Sequence, residues 1–264
     1  MNCKKYLPLI LIGLLPVFAQ AKIVAKEIKY TVDKQEFTGY LAYDDTAGKR
    51  PGVLVVHEWW GYNDYARNRA YMLAKAGYTA FALDMYGTGK QAKHPDDAKA
   101  FMMEVLNNLP MEEKRFDAAY DLLSNHKATQ KGNIAAIGYC FGGGVVLHMA
   151  RIGKPLKAVA SFHGSLNSNL PVDKKPDIKG KIAVFTGGAD VMVPHEQVVA
   201  FTQEMLDARA DFSVQVYPDA KHSFTNPEAD NYGKTFNMPL AWNKYADSDS
   251  WEKLLALLKS AFPS

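Results

Sequence analysis

Apolar and polar positions change their period along the chain, and each change marks an element. Between residues 22 and 43 they alternate loosely, with Tyr30, Val32, Phe37, Gly39, Leu41 and Tyr43 among the apolar-phase positions. A period of two over two stretches joined near Asp33-Lys34 predicts an antiparallel edge hairpin. Gly52-Val53-Leu54-Val55-Val56 is instead a continuous β-branched run, and Thr79-Ala80-Phe81-Ala82-Leu83-Asp84 is a second one. Strands without a polar face are covered on both sides. Between them an amphipathic stretch, capped by Asn63 or Asp64, runs to Lys75. Strand, helix and strand in that order predict a parallel sheet.

The alternation continues with helices at 96–107 and 111–126, a strand at 133–139 and a helix at 141–152. Strands follow at 158–162, 182–186 and 212–217, with a helix at 196–208 before the last of them and another at 251–261. No repeat, low-complexity tract or long linker interrupts the series. The pattern predicts one α/β domain over residues 22–264, a doubly wound and mostly parallel sheet with an N-terminal antiparallel hairpin. In such a sheet the loops at the C-terminal ends of the strands carry the site.

Residues 1–21 break the pattern. Met1-Asn2-Cys3-Lys4-Lys5-Tyr6 precedes an apolar run at 7–18 and then Ala19-Gln20-Ala21. A basic start, an apolar middle and a small-residue cleavage site predict a secretory signal peptide cut after Ala21. The apolar run, broken by Pro8, Gly13 and Pro16, is too short to span a bilayer, so no stable membrane anchor is expected after cleavage. Losing Lys4 and Lys5 takes the formal net charge from +3 to +1. A near-neutral chain offers no electrostatic footprint for nucleic acid. With Cys3 removed, Cys140 has no partner for an internal disulfide, and an unpaired thiol in an exported chain is either buried or used.

Gly138-Tyr139-Cys140-Phe141-Gly142-Gly143-Gly144 lies between a predicted buried strand and an apolar helix. This is the form of a nucleophile elbow, with Cys where many such enzymes carry Ser. Glycines two residues to either side admit close backbone around a strained nucleophile. The same turn occurs without chemistry, and a buried Cys is commonly a small hydrophobe. The discriminating feature is the order of partners. Gly187-Gly188-Ala189-Asp190 follows the strand at 182–186, and Ala220-Lys221-His222-Ser223-Phe224 follows the strand at 212–217. Cys140, Asp190 and His222 thus stand at three C-terminal strand ends in the chain order nucleophile, acid, histidine.

Together with His57-Glu58-Trp59-Trp60-Gly61, these segments resemble the dienelactone hydrolase family of α/β hydrolases, from about Gly39 to the C-terminal helix. The resemblance implies the α/β-hydrolase fold, with Cys140 as nucleophile, His222 as general base and acid, and Asp190 as the partner that orients it. It implies that Glu58 is an acid near the thiol that shares in controlling its protonation. The backbone N–H groups of Trp59 and Phe141 are the expected oxyanion donors. The implied reaction is hydrolysis of a small-molecule carboxylic ester or lactone through a thioester on Cys140, with no cofactor and no metal. His57 matches no catalytic position of the family, and its segment lacks the second histidine of an H-E-x-x-H zinc site. The product is expected to be an exported protein, periplasmic or secreted, acting as a monomer or small homo-oligomer.

The departures from the family pattern bear on the substrate. Arginines that hold a substrate carboxylate in dienelactone hydrolase fall where this chain has Thr88 and Asn226, and neither supplies a bidentate cation. A carboxylate-bearing dienelactone is therefore not the expected substrate. Lys90, Arg67 and Arg69 read as surface charges. Tyr86, Phe224 and Asn226, beside the triad loops, are the candidate substrate-binding residues, and the segment 225–247 is long enough to form a rim. Gly87-Thr88-Gly89-Lys90 fails the phosphate-loop pattern, and Ser165 lacks a following glycine. Two other readings remain: a ligand-binding module with an idle triad, and a redox-responsive thiol. A binding module has no need of His222 and Asp190, and a redox sensor normally recruits a second thiol.

Overall fold

The computed structural model describes residues 22–170 and 176–262. Residues 1–21, expected from the sequence to be a signal peptide, lie outside the described residues. The N-terminal hairpin is β1 (Ile23–Val32) and β2 (Gln35–Asp44), paired antiparallel. Its two-residue turn, Asp33-Lys34, has φ of 46° and 69°, the left-handed pair that matches the twist of a tight hairpin. The rest of the sheet comes from β3 (Arg50–Val56), β4 (Thr79–Leu83), β5 (Thr129–Tyr139), β6 (Ala158–Phe162), β7 (Lys181–Gly187) and β8 (Phe212–Tyr217). The eight strands lie in the order β1-β2-β4-β3-β5-β6-β7-β8. From β4 to β8 every pairing is parallel. The hairpin joins through β2 against β4, antiparallel.

Helices α1 (Asp64–Lys75), α2 (Pro95–Leu106), α3 (Leu109–Ser124), α4 (Phe141–Arg151), α5 (His195–Asp207), α6 (Ala229–Phe236) and α7 (Lys244–Ala261) cover both faces. Asn63 caps α1 by accepting from Ala66 N, as the sequence predicts. The wholly apolar strands are buried between two helical layers. One core joins Leu54, Phe81 and Ile134 to α3 and α4; the other joins Val53, Ala135 and Phe162 to α1 and α7. The last helix is longer than predicted. It starts at Lys244, behind an Asn243 cap that accepts from Ala246 N, because Lys244–Asp249 carries too few apolar residues to show a period. The α6 helix was not predicted either: half of its eight residues are polar and exposed.

One buried group in this frame is uncompensated. Glu112, in the first turn of α3, is fully buried, and both carboxyl oxygens lack a hydrogen-bond partner. Burial, helped by the charge of Glu113, pushes its pKa up to about 8. A folded-state value above the ordinary one means that the folded chain binds this proton more tightly than the unfolded chain. The stability it confers is complete below pH 4.5 and is lost as pH rises towards 8. Glu112→Gln should leave stability below pH 4.5 unchanged and raise it above pH 8 by on the order of 5 kcal/mol. Denaturant unfolding of both chains at the two ends of that window checks this; equal curves at high pH would refute it.

Candidate active site

Cys140 occupies the sharp turn between β5 and α4, with φ at 53°. A side chain in this region is strained, and the turn holds it there by crowding. A Cβ at Gly138 would strike the Gly142 carbonyl, and one at Gly142 would strike the Val56 and His57 carbonyls. Both positions therefore require glycine. Cys140 N donates to Phe162 O at 2.9 Å, and Gly142 N donates to His57 O at 3.1 Å. These bonds tie the elbow to its two neighbouring strand ends.

The second bond sets Phe141 beside the loop after β3, where Glu58 and Trp59 lie. His57 shapes that loop. Its Nε2 accepts from Met85 N at 3.1 Å, which leaves Nδ1 to donate to Glu58 O at 2.5 Å. Full burial pushes its pKa down to about 4 and keeps it neutral, consistent with that donor and acceptor pair. Gly61 N closes the turn on Glu58 O. Tyr86 is buried, meets His57 edge-on and Phe141 at a tilt, and donates its hydroxyl to Trp59 O at 3.1 Å. The sequence assigns Tyr86 to substrate binding; the structure places it behind the loop as a buttress.

Asp190 and His222 meet as the chain order predicts. His222 Nδ1 lies 2.8 Å from Asp190 Oδ2, and Asp190 Oδ1 accepts from Met192 N at 2.8 Å. Both oxygens of a fully buried side chain are thereby used. Burial would lower the pKa of His222, but the Cys140 sulfur and the Asp190 carboxylate outweigh it and push it up to about 10. His222 Nε2 is buried without a hydrogen-bond partner. At neutral pH a ring with that pKa holds its proton, beside the sulfur.

The loop after His222 is held by Glu58. Its carboxylate accepts from Ser223 Oγ at 2.9 Å and from Asn226 Nδ2 at 2.6 Å. Burial raises the pKa of Glu58 despite these two bonds. Asn226 therefore serves Glu58 and does not line the cavity, which corrects its assignment to substrate binding. Phe224 needs the same correction: it is fully buried and packs on Tyr217 and His163. An apolar ring next to the catalytic loop is as well placed for the core as for the cavity, and the local sequence does not distinguish the two. Thr88 faces the hairpin, where its hydroxyl lies 2.9 Å from that of Thr38.

Above Cys140 opens a cavity of about 310 Å³. Trp59 and Phe141 form one wall, Met102 and Leu106 of α2 another, and Met238 and Leu240 a third. Ser165, Asn167 and Asn169 supply a polar edge, so Ser165, set aside in the sequence, does reach the site. The spacing of Met102 and Leu106, four apart on one helix face, was the available signal for that wall. The 225–247 segment reaches the rim through a bridge that pairs His222 with Leu240. Stacking of Tyr232 on Trp60, at 4.5 Å between centroids, pins α6 to the loop after β3.

Comparison with known proteins places this geometry. The model of the dienelactone hydrolase family matches residues 37–262. Protein usf of Aquifex pyrophilus is 30% identical over 78% of this chain and 89% of its own. The crystal structure of a dienelactone hydrolase-like promiscuous phosphotriesterase from metagenomic libraries is similar, with a TM-score of 0.85 and 31% identity over 92% of this chain and all of that one. The structure named m3DLH also has a TM-score of 0.85, with 34% identity over 91% of this chain and 99% of its own.

Proposed function

The chain belongs to the dienelactone hydrolase family and is a carboxylic-ester hydrolase, and we propose that it works through a thioester on Cys140 and acts outside the cytoplasm. The observation that carries the mechanism is His222, fixed by Asp190 through one ring nitrogen, with the other turned to Cys140.

In this mechanism the Cys140 sulfur gives its proton to His222 Nε2 and then attacks the carbonyl carbon. The raised basicity of His222 makes that transfer favourable. Negative charge collects on the carbonyl oxygen, which the Phe141 and Trp59 N–H groups receive. The tetrahedral adduct collapses to a thioester while His222 returns its proton to the departing alkoxide. Water then attacks the thioester with His222 as base, and the thiol leaves with the proton. Glu58 is a positioning residue here: through Ser223 and Asn226 it fixes the loop that carries His222.

Export rests on the composition of residues 1–21 alone. The described residues include no helix long and apolar enough to cross a membrane. The thioester has a direct test. Brief exposure to p-nitrophenyl acetate followed by acid quench should leave an acetyl group on the Cys140 peptide, removable by hydroxylamine at neutral pH. Ester turnover with no adduct at Cys140, also after slowing deacylation at low temperature, would refute the mechanism.

A further inference from the structure

We propose that the site takes uncharged esters or lactones bearing a compact apolar arm, and discriminates against substrates that carry a carboxylate. This rests on the hydrolase reading above and adds the class of substrate.

The cavity itself carries the inference. Among its described lining residues, Cys140 and His222 are the only ionisable side chains. Four candidate cations are engaged elsewhere. Lys90 Nζ lies 2.8 Å from Glu104, Arg67 lies 2.6 Å from Asp64, and Arg151 lies 2.8 Å from Glu204. Arg69 is buried against Asp247. None of the four lines the cavity. Thr88 and Asn226 turn away from it, to Thr38 and Glu58. A substrate carboxylate would leave water for a wall of Met102, Leu106, Met238 and Leu240 with no lysine or arginine to compensate it, and the His222 ring is already paired with Asp190.

The same walls favour an apolar arm through area removed from water. Their three sides come from α2, the loop after β3 and the rim beside His222, so they enclose the arm. The polar edge is neutral: Ser165, Asn167 and Asn169 offer hydrogen bonds without charge. The second arm of the ester can therefore carry hydroxyl or amide groups as it leaves the cavity, but gains no ionic anchor there.

The test compares two esters of equal acyl length, p-nitrophenyl valerate and the mono-p-nitrophenyl ester of glutaric acid, at pH 7. The valerate should have at least a tenfold higher kcat/KM. Met102→Arg, which adds one guanidinium to the apolar wall, should shift the ratio toward the glutarate by about tenfold. Asn169→Arg, at an exposed edge position, serves if the first variant does not fold. Equal rates, or a preference for the glutarate, overturn the proposal. Calorimetric binding of both esters to Cys140→Ala separates it from the hydrolase reading. If neither ester is turned over but the valerate binds more tightly, the substrate class stands and the thioester mechanism falls. If the glutarate binds as well or better, or neither binds, the substrate class falls.

Discussion

Asp190→Asn is expected to lower kcat for p-nitrophenyl esters about 10³- to 10⁴-fold with little effect on folding. The amide is the same size as the carboxylate, and its oxygen can still accept from Met192 N, as Asp190 Oδ1 does at 2.8 Å. Its other end then presents an N–H₂ group where Oδ2 now faces His222 Nδ1 at 2.8 Å. A donor facing Nδ1 selects the tautomer with its proton on Nε2, the nitrogen that must accept from Cys140. Removing the carboxylate also removes one of the interactions that raise the pKa of His222 to about 10. The titration of His222, followed by its ring-proton NMR shift, should move to lower pH in the variant. Loss of kcat without that movement would indicate a packing defect. Unchanged kcat would remove Asp190 from the mechanism.

The positions of Asp190 and Cys140 were legible because each follows a strand that announces itself locally. Ile182–Thr186 and Asn133–Tyr139 are apolar runs that only a covered strand tolerates, and the loops that follow them carry Asp190 and Cys140. The hairpin turn was equally local, since Asp33-Lys34 separates two alternating stretches. What stayed hidden depends on partners far apart in the chain. Glu58 and Asn226 are separated by 168 positions, and nothing near either shows that the amide serves the carboxylate. Tyr86 and Phe224 are rings beside catalytic loops, and only packing decides that both face inward.

His163 shows the same limit. In sequence it is one loop histidine among seven in the chain. In the structure it follows β6 at φ 41°, fully buried, with its ring 5.3 Å from that of His222. Burial, with the charge of His222 added, holds its pKa well below the ordinary value, so it packs there as a neutral ring. Its Nε2 lies 2.8 Å from Thr225 Oγ1, and Tyr65 reaches the same hydroxyl at 2.6 Å. The floor under His222 is thus a polar network that draws on α1, β6 and the loop after β8.

Arg69 ties that network to α7, and Arg69→Met is expected to cost about 3–5 kcal/mol of stability. The sequence suggests a surface charge on an amphipathic helix. The structure instead leaves Arg69 4% exposed, with one terminal nitrogen donating to Thr225 O and to Asp247 Oδ1, each at 2.5 Å. Its guanidinium lies over the rings of Tyr65, Tyr139 and Trp251. Its Nε has no partner, so the group already bears part of its desolvation cost. Methionine fills similar volume but leaves the Thr225 carbonyl and one Asp247 oxygen without their donor. For a domain of this size the loss corresponds to a fall in Tm of roughly 6–20 °C. Because Thr225 lies three residues beyond His222, kcat should fall as well, by about tenfold or more, through misplacement of the ring. Arg69→Lys keeps the charge for Asp247 but not the planar fork or the ring stacking, and should recover only part of either loss. Combining Arg69→Met with Asp247→Asn should cost less than the sum of the two changes, because the second removes a charge that the first leaves unpaired. A loss below about 1 kcal/mol in the single variant would show that burial of the guanidinium had cancelled its bonds, and that other contacts hold the histidine loop.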